Sequence, residues 1–560
     1  MTPHGGEKEE RMASVGGTVR VFTRQATGLT KEIGTLDTFV YNVNNQNIGI
    51  GVAFILLFVP GFYVAADGGR ADMFQSMVIA AILALPMAAV YALFAAAIPR
   101  SGGDYVYISR TLHPLLGFVA SWNWVAWMTV YIGVPAAYFA KYGLSGMFRS
   151  IGVALGSADL VAFANNFVDP VWILAVGTIL IAFFAVIFAL GTRIYFRLQN
   201  VVFAIGMFGV VLAIALAFLG NSADFAANFD AYVGGAGGAA GASGNAIEVG
   251  AASFEQTLFS STLPQFIVLF AITSSFLGGE VRRARVSQML GMPGGVLFVT
   301  VWMILLVAAV QNLVGLPLLG GISGGYFSPG DTFGLSFVPS YNELVAAAYP
   351  GNVIVALLLG FTFVFWTYVW LPINFLASTR ALLAWSIDGL MPAKVSEVNE
   401  QRHTPTVAII IVAVLGWISL FMYTIGIGGF KIDTLYGIFG WILSFILCAI
   451  AAIVFPYRHR AVFESSPVNW RVGGIPLMSI VGAVATVALL VVEYIWWADP
   501  INGLAGTPAI FESLGIWPPI MIALTAGVFV TGALWYLGAR AIQAQRGVRI
   551  ERAFAEIPPE

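Results

Sequence analysis

Charged side chains are scarce in this chain of 560 residues: they make up 10% of it, whereas 59% of the residues are hydrophobic. Soluble globular domains carry about 25% charged residues, so the composition excludes an ordinary soluble domain. The mean hydropathy of +0.87 indicates instead a protein that crosses a membrane several times. The formal net charge is only −2, and no basic cluster with interleaved aromatic residues suggests a nucleic acid partner.

Cysteine and histidine are nearly absent. The single cysteine, Cys448, excludes an intrachain disulfide. No apolar segment combines histidine, cysteine and a carboxylate in the way that a metal site or an activated nucleophile requires. A GxxxxGK[ST] phosphate-binding loop is missing too, which argues against an ATP-driven pump. We therefore expect a protein that is not an enzyme and that holds no cofactor beyond a coupling ion.

Apolar runs, in contrast, are abundant. An α-helix needs about 20 residues to cross the hydrocarbon core of a membrane, and twelve runs of that order are separated by polar or turn-forming segments. The sequence thus predicts an all-α integral membrane protein with twelve transmembrane helices. The predicted spans cover residues 34–63, 74–98, 115–139, 169–190, 197–219, 260–280, 294–319, 351–376, 405–428, 435–456, 474–497 and 517–541.

The distribution of lysine and arginine predicts the orientation, because these residues concentrate in cytoplasmic loops. With both polar tails, residues 1–30 and 542–560, placed in the cytoplasm, nearly all of the 26 basic residues fall on that side. A missing or extra span would destroy this asymmetry. We expect a multi-pass protein of the plasma or inner membrane. The basic residues left on the outer side are Arg70, Lys141, Arg149 and Lys431.

The predicted spans form two sets of five and a final pair. Because five is odd, a second copy of spans 1–5 must insert upside down, as inverted repeats do. Residues 31–219 are then the first repeat, residues 260–456 the inverted second repeat, and residues 457–541 spans 11 and 12. Residues 220–259 form a glycine- and alanine-rich outer linker, which we expect to be flexible.

Span 1 contains a polar gap. Unpaired polar groups are costly in hydrocarbon and persist at membrane depth where they are enclosed by protein or line a watered cavity. Span 6, its counterpart in the second repeat, is also interrupted, by Thr273 to Ser275 and by Gly278 and Gly279. Discontinuous helices in matched positions are typical of secondary transporters. The five amide residues of the span 1 gap are Asn42, Asn44, Asn45, Gln46 and Asn47.

A simpler interpretation stays open for each interruption. Residues 48–65 alone can form a short span, which would leave the amide run as a cytoplasmic loop. Serine, threonine and glycine are also ordinary helix-packing residues in membranes.

Five stretches resemble loops of the amino acid, polyamine and organocation (APC) transporter superfamily, and in particular its bacterial and archaeal amino acid permeases. They occur in the same order as in that family and extend the resemblance from about Lys31 to the C-terminus. The stretches are IPRSGGDYVYISRTLHPLLGFVASWNW (Ile98–Trp124), GTRIYFRLQNVVF (Gly191–Phe203), EVRRARVSQM (Glu280–Met289), ASTRALLAWSIDGLMPAKVSEVNEQRHTP (Ala377–Pro405) and FPYRHRAVFESSPVNWRVGGIPLM (Phe455–Met478).

The resemblance implies a leucine-transporter-type fold with a 5+5 inverted repeat plus two peripheral helices. It also implies that unwound parts of spans 1 and 6 hold the α-carboxylate and α-amino group of an amino acid. Helix dipoles suit this task, because N-terminal N–H groups favour an anion and C-terminal carbonyls favour an ammonium. The positions that match the binding residues are Asn47, Ile48, Gly49, Ile50, Gly51, Phe266, Phe270, Ala271, Ile272 and Thr273.

The chain departs from the family's pattern in two places that bear on function. Gly206 stands where some proton-coupled members carry a lysine, so no built-in ammonium is expected in span 5. The amides from Asn42 to Gln46 have no counterpart in the resemblance. Two interpretations of them stay open: they line an inner vestibule, or they supply neutral polar contacts in place of the lysine.

The substrate is expected to be neutral. A cationic amino acid or a polyamine would need a buried carboxylate at membrane depth, and the acidic residues Asp37, Glu280 and Glu493 lie away from the centres of their spans. An aromatic pocket wall is a weaker expectation, since each such residue can equally face lipid or pack between helices. Its candidate members are Trp122, Trp124, Trp127, Tyr131, Phe361, Phe363 and Trp366.

The sequence therefore predicts a secondary active transporter of amino acids, with Na⁺ or H⁺ as possible coupling ions. Thr367 is a candidate sodium ligand, because its hydroxyl is a hard oxygen donor in span 8. Exchange and sodium symport rank level, and proton symport ranks behind them. The alternatives are a polyamine or other organocation transporter of the same fold and a membrane sensor of amino acids that does not transport. The sequence gives no oligomeric state.

Overall fold

The computed structural model describes residues 29, 31–65, 67–238, 241–327, 335, 337–399, 401–427, 430–432, 435–501 and 520–555. The predicted N-terminal tail, residues 1–30, therefore lies outside the described residues apart from Leu29, whereas the C-terminal tail, residues 542–560, is described as far as Ala555. Within these described residues, twelve helical segments are long and apolar enough to cross a membrane, which confirms the predicted number. We call the face where span 1 begins the near face and the face where it ends the far face.

Seven of the twelve spans are single helices. Span 4 begins at a proline, whose missing N–H costs nothing in the first turn of a helix. These spans are span 2 (Met73–Ala97), span 4 (Pro170–Leu190), span 5 (Thr192–Leu219), span 9 (Thr406–Thr424), span 10 (Ile438–Arg458), span 11 (Leu477–Ala498) and span 12 (Ile520–Gln545).

The other five spans are interrupted, and they surround the centre of the molecule. Each has its parts in sequence: span 1 (Thr35–Gln46, Ile48–Phe62), span 3 (Pro114–Tyr138, a π-helical turn Phe139–Leu144, Ser145–Leu155), span 6 (Phe254–Ser260, Thr262–Val268, a 3₁₀ stretch Leu269–Phe276), span 7 (Ala284–Gly291, Pro293–Val314) and span 8 (Val353–Tyr368, Trp370–Ile387).

Short elements join the spans at both faces. A two-stranded antiparallel hairpin pairs Arg471–Val472 with Ile475–Pro476 before span 11. The connecting helices are Asp104–Thr111, Ala158–Asn166, Ser222–Gly235, Leu316–Phe327, Tyr341–Ala347 and Arg460–Ser465, and the 3₁₀ turns are Ala242–Asn245, Gly278–Glu280, Ala393–Ser396, Leu435–Gly437 and Ile550–Phe554.

The far-face segment at residues 220–259 differs from its prediction as a flexible linker. A helix occupies Ser222–Gly235, because Phe225, Phe229, Tyr232 and Val233 recur at helical spacing and are buried against the protein. The glycine and alanine content of the following residues hid this amphipathic pattern from the compositional argument.

Exposure separates inner from peripheral spans. In the most hydrophobic window of each span, 89% of the residues of span 6 and 78% of those of span 3 are buried within the protein, against 28% for span 4 and 17% for span 12. A span exposed along most of its length faces lipid. Spans 1, 2, 3, 6, 8 and 10, each at least 61% buried in this window, therefore form the core in which a polar site can be enclosed.

Candidate functional site

The break in span 1 is a single residue. Asn47 adopts a left-handed conformation with φ 58°, which asparagine tolerates better than most residues. Its Oδ1 accepts a hydrogen bond from the backbone N–H of Ile50 at 3.2 Å, and its Nδ2 donates to the carbonyl oxygen of Trp366 in span 8 at 2.9 Å. One amide side chain thus caps the second half of span 1 and ties it to span 8.

Span 6 weakens over a longer stretch. Residues Leu269–Phe276 form a 3₁₀ helix of eight residues, although 3₁₀ runs longer than three or four residues are uncommon and often mark a hinge or strain. The stretch overlaps the interruption that its threonine and serine residues predict. Its backbone carbonyls are therefore less regularly bonded than those of an α-helix and are open to side-chain donors.

Asn45 connects the two weakened helices. Its Nδ2 donates to the carbonyl oxygen of Phe270 at 3.2 Å and to the hydroxyl of Thr273. Its own backbone carbonyl accepts from Trp370 Nε1 at 2.7 Å, and its Oδ1 accepts from Asn374 Nδ2 at 3.2 Å. Asn45 is fully buried, so these partners offset the cost of enclosing an amide in the membrane.

Asn42 makes a second connection one turn earlier. Its Nδ2 donates to Ser274 Oγ at 2.8 Å, and its Oδ1 accepts from the backbone N–H of Ser274 at 3.0 Å. Ser274 Oγ in turn donates to Gln288 Oε1 at 2.5 Å. We call Asn42, Asn45 and Asn47, with their partners in spans 6 and 8, the amide clasp. The amide residues of the span 1 gap are thus part of a helix or cap one, and three of them join span 1 to spans 6 and 8. The interpretation of the amide run as a cytoplasmic loop is wrong.

Two further amides of the gap point elsewhere. Gln46 Nε2 donates to the carbonyl oxygen of Asn42 at 3.2 Å. Asn44 lines a space of about 10 Å³ between spans 1, 5 and 8 together with Gln199. This is close to the smallest volume that holds one water molecule.

The predicted binding residues of span 1 are helical rather than unwound. Ile48, Gly49, Ile50 and Gly51 form the first turn after the break and are buried. A Cβ atom at Gly49 would lie 2.3 Å from Trp366 Cγ, and one at Gly51 would lie 2.9 Å from Ile267 Cγ1. These glycines therefore allow close helix packing, and their backbone does not border open space.

The predicted residues of span 6 belong to a closed aromatic layer. Phe266 and Phe270 pack around Tyr131 of span 3, with ring centroids at 6.0 and 5.4 Å. Trp370 and Trp441 complete the layer, at 5.5 and 5.1 Å from Tyr131. Of the predicted aromatic wall, Tyr131 is a member, whereas Phe361 is 44% exposed on the surface. Ala271 and Ile272 are fully buried beside this layer.

A cavity of about 270 Å³ opens on the far side of the aromatic layer. Span 1 contributes Ile50, Phe54 and Phe58 to its wall. Phe54 stacks on Phe266 with a centroid distance of 6.0 Å, so that the floor of the cavity rests on the aromatic layer. The cavity thus borders span 1 just after its break and lies against the aromatic layer that contains Phe266 of span 6.

Span 3 supplies most of the polar lining. Tyr138, Lys141 and Tyr142 face the cavity from the π-helical turn and the residue just before it, and Tyr423 joins them from span 9. The sequence argument did not identify these residues as a site. The sequence feature that could have indicated this cavity is Lys141, because it is one of four basic residues expected on the outer side and lies close to an apolar span.

The near face is closed by buried ion pairs. Arg380 of span 8 makes two hydrogen bonds to Glu280 at the end of span 6, at 2.6 and 2.9 Å. Arg110 and Asp388 form a second pair at 2.6 Å, to which Tyr105 donates at 2.7 Å. Burial raises the pKa of the Tyr105 hydroxyl, so it remains a donor. In the part of the chain that the structure describes, the cavity between the spans thus opens toward the far face.

Thr367, the predicted sodium ligand, points away from span 1. Its hydroxyl donates to the carbonyl oxygen of Val364 in its own helix at 2.6 Å. A Cβ at Gly143 of span 3 would lie 2.8 Å from this hydroxyl oxygen, so Thr367 faces span 3. The position between spans 1 and 8 is taken by the side chain of Asn47.

Comparison with known proteins agrees with this architecture. A family model described as "Amino acid permease" matches residues 33–535. Three proteins named as uncharacterized transporters, from Mycobacterium bovis and two strains of Mycobacterium tuberculosis, are 28% identical over 127 residues. That match covers 23% of this chain and 27% of each relative.

The family match spans nearly the whole membrane region, from the start of span 1 into span 12. It accounts together for the twelve spans, the loops that resemble APC permeases and the paired interruptions in spans 1 and 6. The chain belongs to the amino acid permease family of the APC superfamily, and it is a multi-pass membrane protein of a transporter family.

Proposed function

We propose that the protein is a secondary active transporter of neutral amino acids that works by alternating access. The observation that carries this proposal is the pair of facing interruptions in spans 1 and 6, joined by Asn42 and Asn45 next to a cavity open to one face. Short helices that can tilt about such breaks are a means of exposing one site to either side of a membrane in turn.

The half-helices supply groups suited to a zwitterion. The first turn after Asn47 directs backbone N–H groups toward the break, and this end of a helix favours a carboxylate. The 3₁₀ stretch after Leu269 supplies carbonyls, of which that of Phe270 accepts from Asn45 at 3.2 Å. We propose that an amino acid reaches these groups when the aromatic layer opens, and that its ammonium replaces the Asn45 amide as donor.

A neutral substrate is favoured over a cation. Among the described residues that line the cavity there is no aspartate or glutamate. Glu280 is bonded to Arg380, and Asp37 accepts from Asn200 Nδ2 at 2.7 Å. A polyamine or other organocation would therefore meet no carboxylate among the described residues of the cavity wall, and an unpaired charge at membrane depth is costly.

We propose exchange in preference to sodium symport. A sodium ion between spans 1 and 8 would need carbonyl or hydroxyl oxygens with free lone pairs. Asn47 Nδ2 already donates to the carbonyl of Trp366, and the Thr367 hydroxyl faces span 3. We further propose that both termini are cytoplasmic, because this places nearly all basic residues on the inner side of the cell membrane.

Uptake into proteoliposomes tests the proposal. Purified protein is reconstituted, and labelled neutral, acidic and cationic amino acids and putrescine are added with or without an unlabelled neutral amino acid inside the vesicles. Imposed sodium and proton gradients form separate arms. We expect uptake of neutral amino acids that is stimulated by internal substrate and insensitive to sodium.

Two outcomes would contradict the proposal. Specific binding of amino acids without any flux would favour a sensor. Uptake of putrescine in preference to neutral amino acids would favour an organocation transporter.

A further inference from the structure

Lys141 is placed where it can act on the solute. It is half-buried in the wall of the far-face cavity, and it is the one charged side chain among the described residues of that wall. Its nitrogen lies 5.1 Å from the centre of the Tyr142 ring. A lysine in a membrane-spanning helix normally extends its ammonium to bulk water, whereas the Lys141 nitrogen lies near an aromatic ring in the wall of a cavity.

The local backbone explains how the side chain reaches this position. Phe139–Leu144 form a π-helical turn, and such turns are rare and frequent at functional sites. Within it, Gly143 packs against Thr367 of span 8, where a Cβ would meet the hydroxyl at 2.8 Å. The π-helical turn thus packs against span 8 at Gly143, and the side chains of Lys141 and Tyr142 line the cavity.

The cavity suits a small zwitterion in size and chemistry. Its volume of about 270 Å³ is near the lower end of the range for small-molecule sites. The ammonium of Lys141 can pair with a carboxylate, while the rings of Tyr138, Tyr142 and Tyr423 can face an ammonium group. A molecule with a net positive charge would instead be repelled by the only charge in the described wall.

We propose that Lys141 binds the carboxylate of the solute in an outer binding site, before the aromatic layer opens, and thereby selects zwitterionic over cationic solutes. This inference rests on the proposed transport of amino acids. It adds a second, earlier binding site on the far side of Phe54 and Phe266, and it assigns the selection by charge to a residue of span 3.

Charge variants test the proposal in the proteoliposome assay. We expect Lys141→Gln to raise the KM for a neutral amino acid such as leucine by about tenfold, the effect of losing one partly hydrated charge contact. The maximal rate should change little, because the inner site is intact. Lys141→Glu should in addition make arginine and putrescine inhibitors of leucine uptake, and Lys141→Arg should retain the selectivity of the parent.

Lys431→Gln is the matched control, since Lys431 lies on the same face, is exposed and is absent from the described cavity wall. Ionic strength gives a readout without substitution. The KM of the parent should rise as choline chloride increases from 50 to 500 mM, because salt screens exposed charges, and that of Lys141→Gln should not.

The outcomes separate this inference from the proposed function. A parent protein without amino acid flux overturns the proposed function and this inference with it. A parent that transports leucine, with Lys141→Gln and Lys141→Glu at the parental KM and without inhibition by cations, overturns the role of Lys141 alone. If Lys141→Glu is not recovered as a monodisperse protein, Lys141→Gln and the salt series decide.

Discussion

At the scale of single residues, the buried amides join neighbouring spans by hydrogen bonds, whereas the buried glycines allow neighbouring spans to pack closely. Asn42 and Asn45 satisfy hydrogen bonds across the gap between spans 1 and 6, so their cost in the membrane is offset by partners that an apolar residue could not provide. Gly49 and Gly206, in contrast, have no side chains, and the indole of Trp366 occupies the space that this leaves between them. Trp366 Nε1 also donates to the carbonyl oxygen of Gly206 at 3.2 Å.

The contact between Gly49 and Trp366 predicts a stability defect. We expect Gly49→Ala to destabilise the protein by about 1–3 kcal/mol, the usual cost of inserting a methyl group into a packed core, because its Cβ would lie 2.3 Å from Trp366 Cγ. Thermal unfolding in detergent measures the effect. Gly294→Ala is the control, since its nearest neighbour would be 3.9 Å away. Equal unfolding temperatures for the two variants would contradict the packing role.

At the scale of elements, the sequence predicted where the helices weaken but not how. The amide run predicts an interruption in span 1, and the threonine and serine residues predict one in span 6. Both interruptions are present. The details depend on tertiary partners. The amide of Asn47, which caps the next helix through Oδ1, also donates through Nδ2 to Trp366, which is 319 residues away in the chain. The cavity was missed for the same reason, because Tyr138, Lys141 and Tyr423 meet only in the fold.

The single-residue break in span 1 yields a ranked prediction. Asn47→Gly keeps the left-handed backbone at little steric cost but loses two hydrogen bonds, worth roughly 1 kcal/mol each. Asn47→Ala loses the same bonds and adds about 1–2 kcal/mol for a Cβ in the left-handed region. Thermal unfolding should therefore rank the parent above the glycine variant and the glycine variant above the alanine variant. An alanine variant as stable as the glycine variant would show that the backbone at residue 47 is not held left-handed.

At the scale of the whole molecule, buried ion pairs join the spans at both faces. On the near face Arg380 pairs with Glu280 and Arg110 with Asp388, and the backbone N–H of Ile33 donates to the carbonyl oxygen of Glu280 at 3.0 Å. On the far face Arg149 pairs with Glu343 at 3.0 Å, and the cavity of about 270 Å³ opens toward this face. The number of spans and the charge asymmetry followed from the sequence, but the conformation did not, because it depends on pairings between distant loops.

The near-face ion pair predicts a shift between the two conformations. Glu280→Gln leaves Arg380 buried without its countercharge, a loss that costs about 3–5 kcal/mol in buried pairs, so the near face should open more often. A cysteine at Phe58, in the cavity wall, reports this change in a Cys448→Ser background. We expect a membrane-impermeant maleimide to label Phe58→Cys from the far face, and Glu280→Gln to slow that labelling several-fold.

Glu464→Gln is the control for this experiment. It makes the same chemical change at an exposed carboxylate, whose pKa is lowered by the hydrogen bond from Arg460, outside the membrane-spanning helices. Unchanged labelling in Glu280→Gln would show that the pair holds the fold together without controlling access.

The indole of Trp366 has a consequence for how this protein can change over evolutionary time. Its ring is in contact with glycines of two other spans, Gly49 and Gly206, so a side chain at either position would crowd the indole. We expect a lineage that acquires a large side chain at position 206 to exchange the tryptophan for a smaller residue as well. Positions 49, 206 and 366 should therefore covary among relatives, and a glycine-to-lysine replacement at 206 should be found together with the loss of the tryptophan.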